Sequence, residues 1–140
     1  MIIQDAIDVV ADKFVYTNDP NVTKDAWFVM KELDGKFHGD CEDFSLTSYW
    51  ILSDCNLLKF LWNLLVVGNY GLWMVKSAGG SRGDHCVANY NGVWFDNWTR
   101  RAMTEEDFFR NTGHAKCFRF SRFSIAVRLL IGLRFRNSYK

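Results

Sequence analysis

The sequence predicts an α+β fold, and three observations carry that expectation. Apolar residues recur at helical spacing in the first part of the chain, up to Cys55. Two-residue alternation around an Asn91-Gly92 turn governs the middle. The two kinds of element are segregated rather than interleaved, which places helices on one face of an antiparallel sheet.

The elements follow in order. Ile3, Ala6, Ile7, Val10 and Phe14 form an apolar stripe with Asp5, Asp8, Asp12 and Lys13 between them, an amphipathic first helix. Asn18-Asp19-Pro20-Asn21 reads as a turn. A second short helix is expected from Thr23, carrying Trp27, Met30 and Leu33 and stopping at Asp34-Gly35. Asp40 caps a third helix, with Asp43 placed three residues later to complete a capping box. Its apolar residues cover much of its circumference, as in a buried central helix.

Leu61–Val67 and Leu72–Val75 read as two strands around Gly68-Asn69-Tyr70-Gly71. Residues 77–84 read as a loop, and HCVANY and VWFDNW as a hairpin about Asn91-Gly92. A short helix begins at Thr104, with Asp107 in its first turn. KCFRFSRF alternates like a half-exposed strand, and the final segment from Ser124 suits helix or strand equally.

The chain has 140 residues, 49% apolar and 16% aromatic, enough for one domain over 1–140 with its own core and too apolar for disorder. The start lacks a secretory pattern and no stretch is long enough to span a bilayer, so the expected location is the cytoplasm. Cys41, Cys55, Cys86 and Cys117 form no C-x-x-C pair, so free thiols are expected rather than a zinc site. The net charge of +1 is uneven: residues 1–107 carry 9 basic and 16 acidic groups, while from Phe108 onward there are 8 basic groups and no acid. The basic segment, about 113–140, is therefore a candidate surface for an anionic partner, either nucleic acid or membrane.

The chemistry concentrates on Cys41, His85 and Asp96. Cys41 follows the cap Asp40 and so occupies the first turn of a helix, where free N–H groups and the helix dipole favour a thiolate. Asp40, Glu42 and Asp43 oppose this, which leaves most of the activation to a histidine. With Tyr90 paired to Val93, positions across the hairpin sum to 183. His85 then faces Trp98, and the His85 and Asp96 side chains share one face as diagonal neighbours. Cys86, next along the strand, would point away. His38 is a rival base, more simply a surface residue before the helix; His114, after Thr112-Gly113, reads as exposed.

GDCEDFSLTSYWIL and DHCVANYNGVWFDN resemble the bacterial transglutaminase-like cysteine proteinases over roughly residues 37–98. The resemblance implies a papain-like core with Cys41 as nucleophile, His85 as base and Asp96 as the orienting acid. It further implies cleavage of a peptide or amide bond in a protein or peptide substrate through a thioester, with deamidation or transamidation as variants. No cofactor is required, but some members of the family bind calcium through acids flanking the cysteine, here Asp40, Glu42 and Asp43. The oxyanion donors expected are the Cys41 backbone N–H and the Trp27 indole. The family is usually secreted, so a short cytosolic version would fit a phage protein acting in a host cytoplasm. The rival expectation is an inactive member of the fold that binds a partner through its basic C-terminal segment.

Overall fold

In the computed structural model, which describes residues 1–17, 27–77 and 83–135, the apolar stripe near the N-terminus forms helix α1 (Ile3–Lys13). Ala6, Ile7 and Val10 are buried and the aspartates face out. The chain leaves α1 directly into strand β1 (Phe14–Tyr16). Beyond the first undescribed stretch come β2 (Glu32–Leu33) and β3 (Lys36–Gly39), joined at Asp34-Gly35. They form a small sheet in the order β1-β3-β2, with β1 parallel to β3.

This sheet corrects the expectation of a second helix. Thr23 and the turn at Asn18–Asn21 lie outside the described residues, but Trp27 to Met30 are irregular and Leu33 is in a strand. The irregular segment is held sideways by side chains of the next helix. Phe28 N–H donates to Asp43 Oδ1 at 2.9 Å and Met30 N–H to Thr47 Oγ1 at 2.8 Å. Apolar spacing cannot report such tertiary acceptors.

Helix α2 (Cys41–Leu52) is the central element, with its reciprocal Asp40–Asp43 capping box formed. It is buried around most of its circumference, from Asp43 to Tyr49 and again at Leu52. Tyr49 Oη donates to the carbonyls of Gly71 and Asn89, at 2.7 and 3.1 Å, and so pins the helix to the main sheet. Gly39 is required where β3 turns into α2: a Cβ there would lie 2.6 Å from Met30 Sδ and 2.8 Å from Asp43 Cβ.

A second correction follows. Leu61–Val67 is not a strand. Helix α3 (Leu57–Leu61), capped by Asn56, runs into a π-helical turn over Trp62–Val67 that closes at Gly68. A short apolar run is ambiguous between helix and strand, and here the Asn56 cap decides.

The main sheet is antiparallel throughout, in the order β7-β6-β5-β4-β8. Its strands are β4 (Gly71–Lys76), β5 (Gly83–Tyr90), β6 (Val93–Phe95), β7 (Met103–Thr104) and β8 (Ala115–Arg119). The Tyr90–Val93 pairing is as expected, and Asn91 (φ 49°) and Gly92 (φ 85°) supply the two positive angles of a type I′ turn. Gly83 and Asp84 belong to β5, and residues 78–82 of the expected loop lie outside the described residues.

The sheet has apolar side chains on both faces. Leu72, Cys86, Ala88 and Phe95 join the core around α1 and α2, while Val75, Val87 and Trp94 pack with Phe108 of helix α4 (Glu105–Thr112). Strand β8 is exposed along its whole length rather than half-buried, because it is an edge strand; Phe120, just beyond it, turns inward. Helix α5 (Arg122–Phe135) resolves the ambiguous last segment. No single described helix is long and apolar enough to cross a membrane. The class is α+β, as the sequence predicts.

Candidate functional site

The hairpin delivers His85 and Asp96 to each other. His85 Nε2 lies 2.8 Å from Asp96 Oδ2, with His85 5% and Asp96 0% exposed. The strand pairing ends at Ala88–Phe95, and Asp96 opens the turn that follows. Its Oδ1 accepts the N–H groups of Trp98 at 3.1 Å and Thr99 at 2.7 Å. The Trp98 ring then stacks on the imidazole, centroids 4.5 Å apart at 24°, on the side facing solvent.

A third residue completes this cluster and corrects an expectation: His114 is buried, not exposed. Its Nε2 lies 3.2 Å from the same Oδ2 that holds His85. Helix α4 ends at Gly113 and sends the next residue back under the sheet, where Thr112 Oγ1 accepts the His114 N–H at 3.2 Å. Among the described residues His114 Nδ1 is buried without a hydrogen-bond partner. Local sequence suggests a helix stop at Thr112-Gly113, but nothing local says what the residue after it will meet.

Burial alone would raise the Asp96 pKa. The hydrogen bonds from His114, His85 and the Thr99 N–H outweigh it and hold the carboxyl well below the usual range. An ionised Asp96 must accept, so both imidazoles donate from Nε2 and His85 keeps Nδ1 as its basic nitrogen.

Cys41 is the first residue of α2, as the sequence predicts. Its thiol donates to Glu42 Oε2 at 3.1 Å, and its Sγ accepts the Cys86 N–H at 3.4 Å. The sulfur thus sits one peptide unit from His85. Alternation sends Cys86 and His85 to opposite faces of the sheet, as expected, but it is Cys86 that lies on the face of α2 and Cys41, buried in that core, while His85 shares the other face with Val87 and α4. Cys41 and His85 are not joined by a hydrogen bond among the described contacts.

Burial pushes the Cys41 thiol well up, and Glu42, Cys86 and Asp40 add to it; the Cys86 N–H offsets only part. Glu42 rises to about 8 through burial, then through the charge of Asp40 and a hydrogen bond with it. Asp43 is raised for the same reasons, by burial and then by Asp40 and Glu42. The ligand oxygens of Asp40, Glu42 and Asp43 lie within 4.8 Å of one another, and Asp40 Oδ1 is buried without a partner among the described residues. Three crowded carboxylates with an unpartnered oxygen fit a hard cation such as calcium. His85, Asp96 and His114 are equally close, but their hydrogen bonds already account for that convergence.

The remaining candidates separate. Trp27, the other expected oxyanion donor, is buried with its ring edge-on against Phe120, 4.9 Å between centroids, and the Arg128 guanidinium over it. The Cys41 N–H, in the first turn, has no intrahelical acceptor and remains suited to that role. His38 is on β3 rather than in a loop, 3.3 Å from Thr17 Oγ1 through Nδ1. Cys55 and Cys117 are exposed thiols. Tyr16, which the sequence does not single out, lies by the cysteine: burial raises its pKa first, then the charges of Cys41, Asp40 and Glu42. The parallel β1–β3 pairing sets Tyr16 opposite Gly39 and so brings it there.

Comparison of the chain with protein-family models, with curated proteins and with solved structures returns no match.

Proposed function

We propose that this protein is a cysteine hydrolase of transglutaminase-like character, acting on a peptide or amide bond of a protein or peptide substrate. The observation that carries the reading is the buried His85–Asp96 pair, 2.8 Å apart, on a strand whose next residue, Cys86, donates its N–H to the sulfur of a first-turn cysteine.

In this reading Asp96 keeps His85 as the Nε2–H tautomer and stabilises the imidazolium that forms. For His85 Nδ1 to take the Cys41 proton, the thiol turns away from Glu42 and past the Cys86 N–H toward the far face of β5, and Sγ then attacks the substrate carbonyl. The oxyanion is met by the Cys41 N–H. The C–N bond breaks as His85 returns the proton to the leaving amine, which yields a thioester. Water, deprotonated by His85, then releases the acid and the free thiol. An amine acceptor in place of water gives transamidation. Asp40, Glu42 and Asp43 would hold calcium beside the helix start, where it would neutralise the carboxylates that oppose thiolate formation.

One observation favours a second reading. The thiol is raised and bonded to Glu42 rather than to His85, as in a fold retained for binding with its catalysis lost. The pH dependence of Cys41 alkylation in the wild type and His85→Ala separates the two. The catalytic reading expects reactivity that extends below the free-cysteine range, about 8.5, and that is lost in the variant. Superimposable profiles would refute it and leave the binding reading.

A further inference from the structure

Eight of the fifteen exposed large apolar side chains among the described residues lie on two touching helical segments. Along α3 and the π-helical turn, Leu58, Trp62 and Val66 follow at four-residue steps and are 79%, 60% and 55% exposed. On α5, Phe123, Val127 and Leu130 are 68%, 54% and 66% exposed. The stripes are neighbours: Arg122, at the start of α5, donates to the carbonyls of Leu65 and Val66 at 2.9 and 3.3 Å. Beneath them Leu61, Leu65 and Leu129 help to line an apolar cavity of about 480 Å³. Scattered exposed leucines need no explanation, but adjoining stripes on two elements mark an interaction face.

Charge identifies the occupant. Both stripes lie in stretches without a single acid, residues 55–83 and 108–140. Lys59 is paired with Asp54, but among the described residues the exposed Arg119 and Arg122 bond only backbone carbonyls, of Gly68 and of Leu65 and Val66. A second copy docked face to face on this surface would bring like charges together. Aliphatic and Trp/Phe side chains bordered by arginines suit a surface that is apolar inside and negative at its rim.

We propose that the α3–α5 face is a peripheral binding surface for an anionic lipid bilayer. Leu58, Trp62, Phe123 and Val127 enter the boundary between headgroups and acyl chains, and Arg119 and Arg122 meet the lipid phosphates. The surface is independent of the Cys41 chemistry.

Co-sedimentation with vesicles tests it. The full chain should bind vesicles of phosphatidylcholine mixed with phosphatidylglycerol, bind phosphatidylcholine alone far less, and be released by salt. Leu58→Glu and Val127→Glu change exposed positions and should leave the thermal melt unaltered while weakening binding roughly tenfold or more. Arg119→Gln with Arg122→Gln should remove much of the salt-sensitive part. Absence of binding to the mixed vesicles, or undiminished binding by the two Glu variants, would overturn the proposal. So would a dimer, seen by light scattering, that Leu58→Glu dissolves, since the face would then belong to a second copy.

Discussion

Glu42 offers the sharpest quantitative prediction, because one substitution reads out both the electrostatics of the helix start and the state of the thiol. Its carboxyl rises from 4.5 to about 8 because burial and Asp40 disfavour the charge. The folded protein therefore holds this proton more tightly than the unfolded chain does. Stability from this group is greatest below 4.5, falls as pH rises toward about 8, and is flat above that. The full rise corresponds to about 5 kcal/mol at roughly 1.36 kcal/mol per pH unit. Partial contact of Glu42 with solvent and relaxation around the charge reduce it to about 1–3 kcal/mol. Glu42→Gln keeps the shape and cannot ionise. In chelator-treated samples unfolded with urea, it should match the wild type at about pH 4 and exceed it by about 1–3 kcal/mol at about pH 9. Cys41, relieved of a neighbouring negative charge, should also alkylate at lower pH in the variant. A variant less stable than the wild type at high pH would refute the reasoning, since Glu42 would then be ionised and favourably paired.

The other predictions concern the buried pair and the acidic cluster. Asp96→Ala leaves two buried imidazole donors without their acceptor and should cost about 2–4 kcal/mol in urea unfolding; Asp96→Asn should fold better while still abolishing His85-dependent alkylation of Cys41. His114→Phe loses one hydrogen bond to a carboxylate, about 1.5 kcal/mol, but also removes an orphaned buried nitrogen, so stability at neutral pH should change little. It should raise the Asp96 pKa, however. Because that pKa is depressed on folding, its stabilisation is present above the ordinary value of 3.8 and lost as pH falls below it. The variant should therefore gain less stability than the wild type between acid and neutral pH; identical acid-unfolding curves would show that His114 does not act on Asp96. Calcium should raise Tm, a chelator should reverse the rise, and Asp43→Asn should abolish it; an unchanged Tm would remove the site.

Features that depend on neighbours in the chain are legible in these residues before any fold is known. Those are the first-turn placement of Cys41 through the Asp40–Asp43 box, and the sharing of one face by His85 and Asp96 through the Asn91-Gly92 register. Caps and two-residue turns act over three or four residues, so they can be read without a fold. Packing between distant segments set the rest. Residues 27–30 abandon the expected helix because Asp43 and Thr47 offer acceptors from another element. His114 reaches Asp96 across 18 residues because α4 packs beneath the sheet, and Tyr16 reaches the cysteine through a parallel strand pair. The same packing settled which strand face meets α2, and so placed Cys86 rather than His85 in the core beside Cys41. Those placements are fixed by how buried surfaces and hydrogen-bond partners meet between distant segments, and local spacing does not encode them.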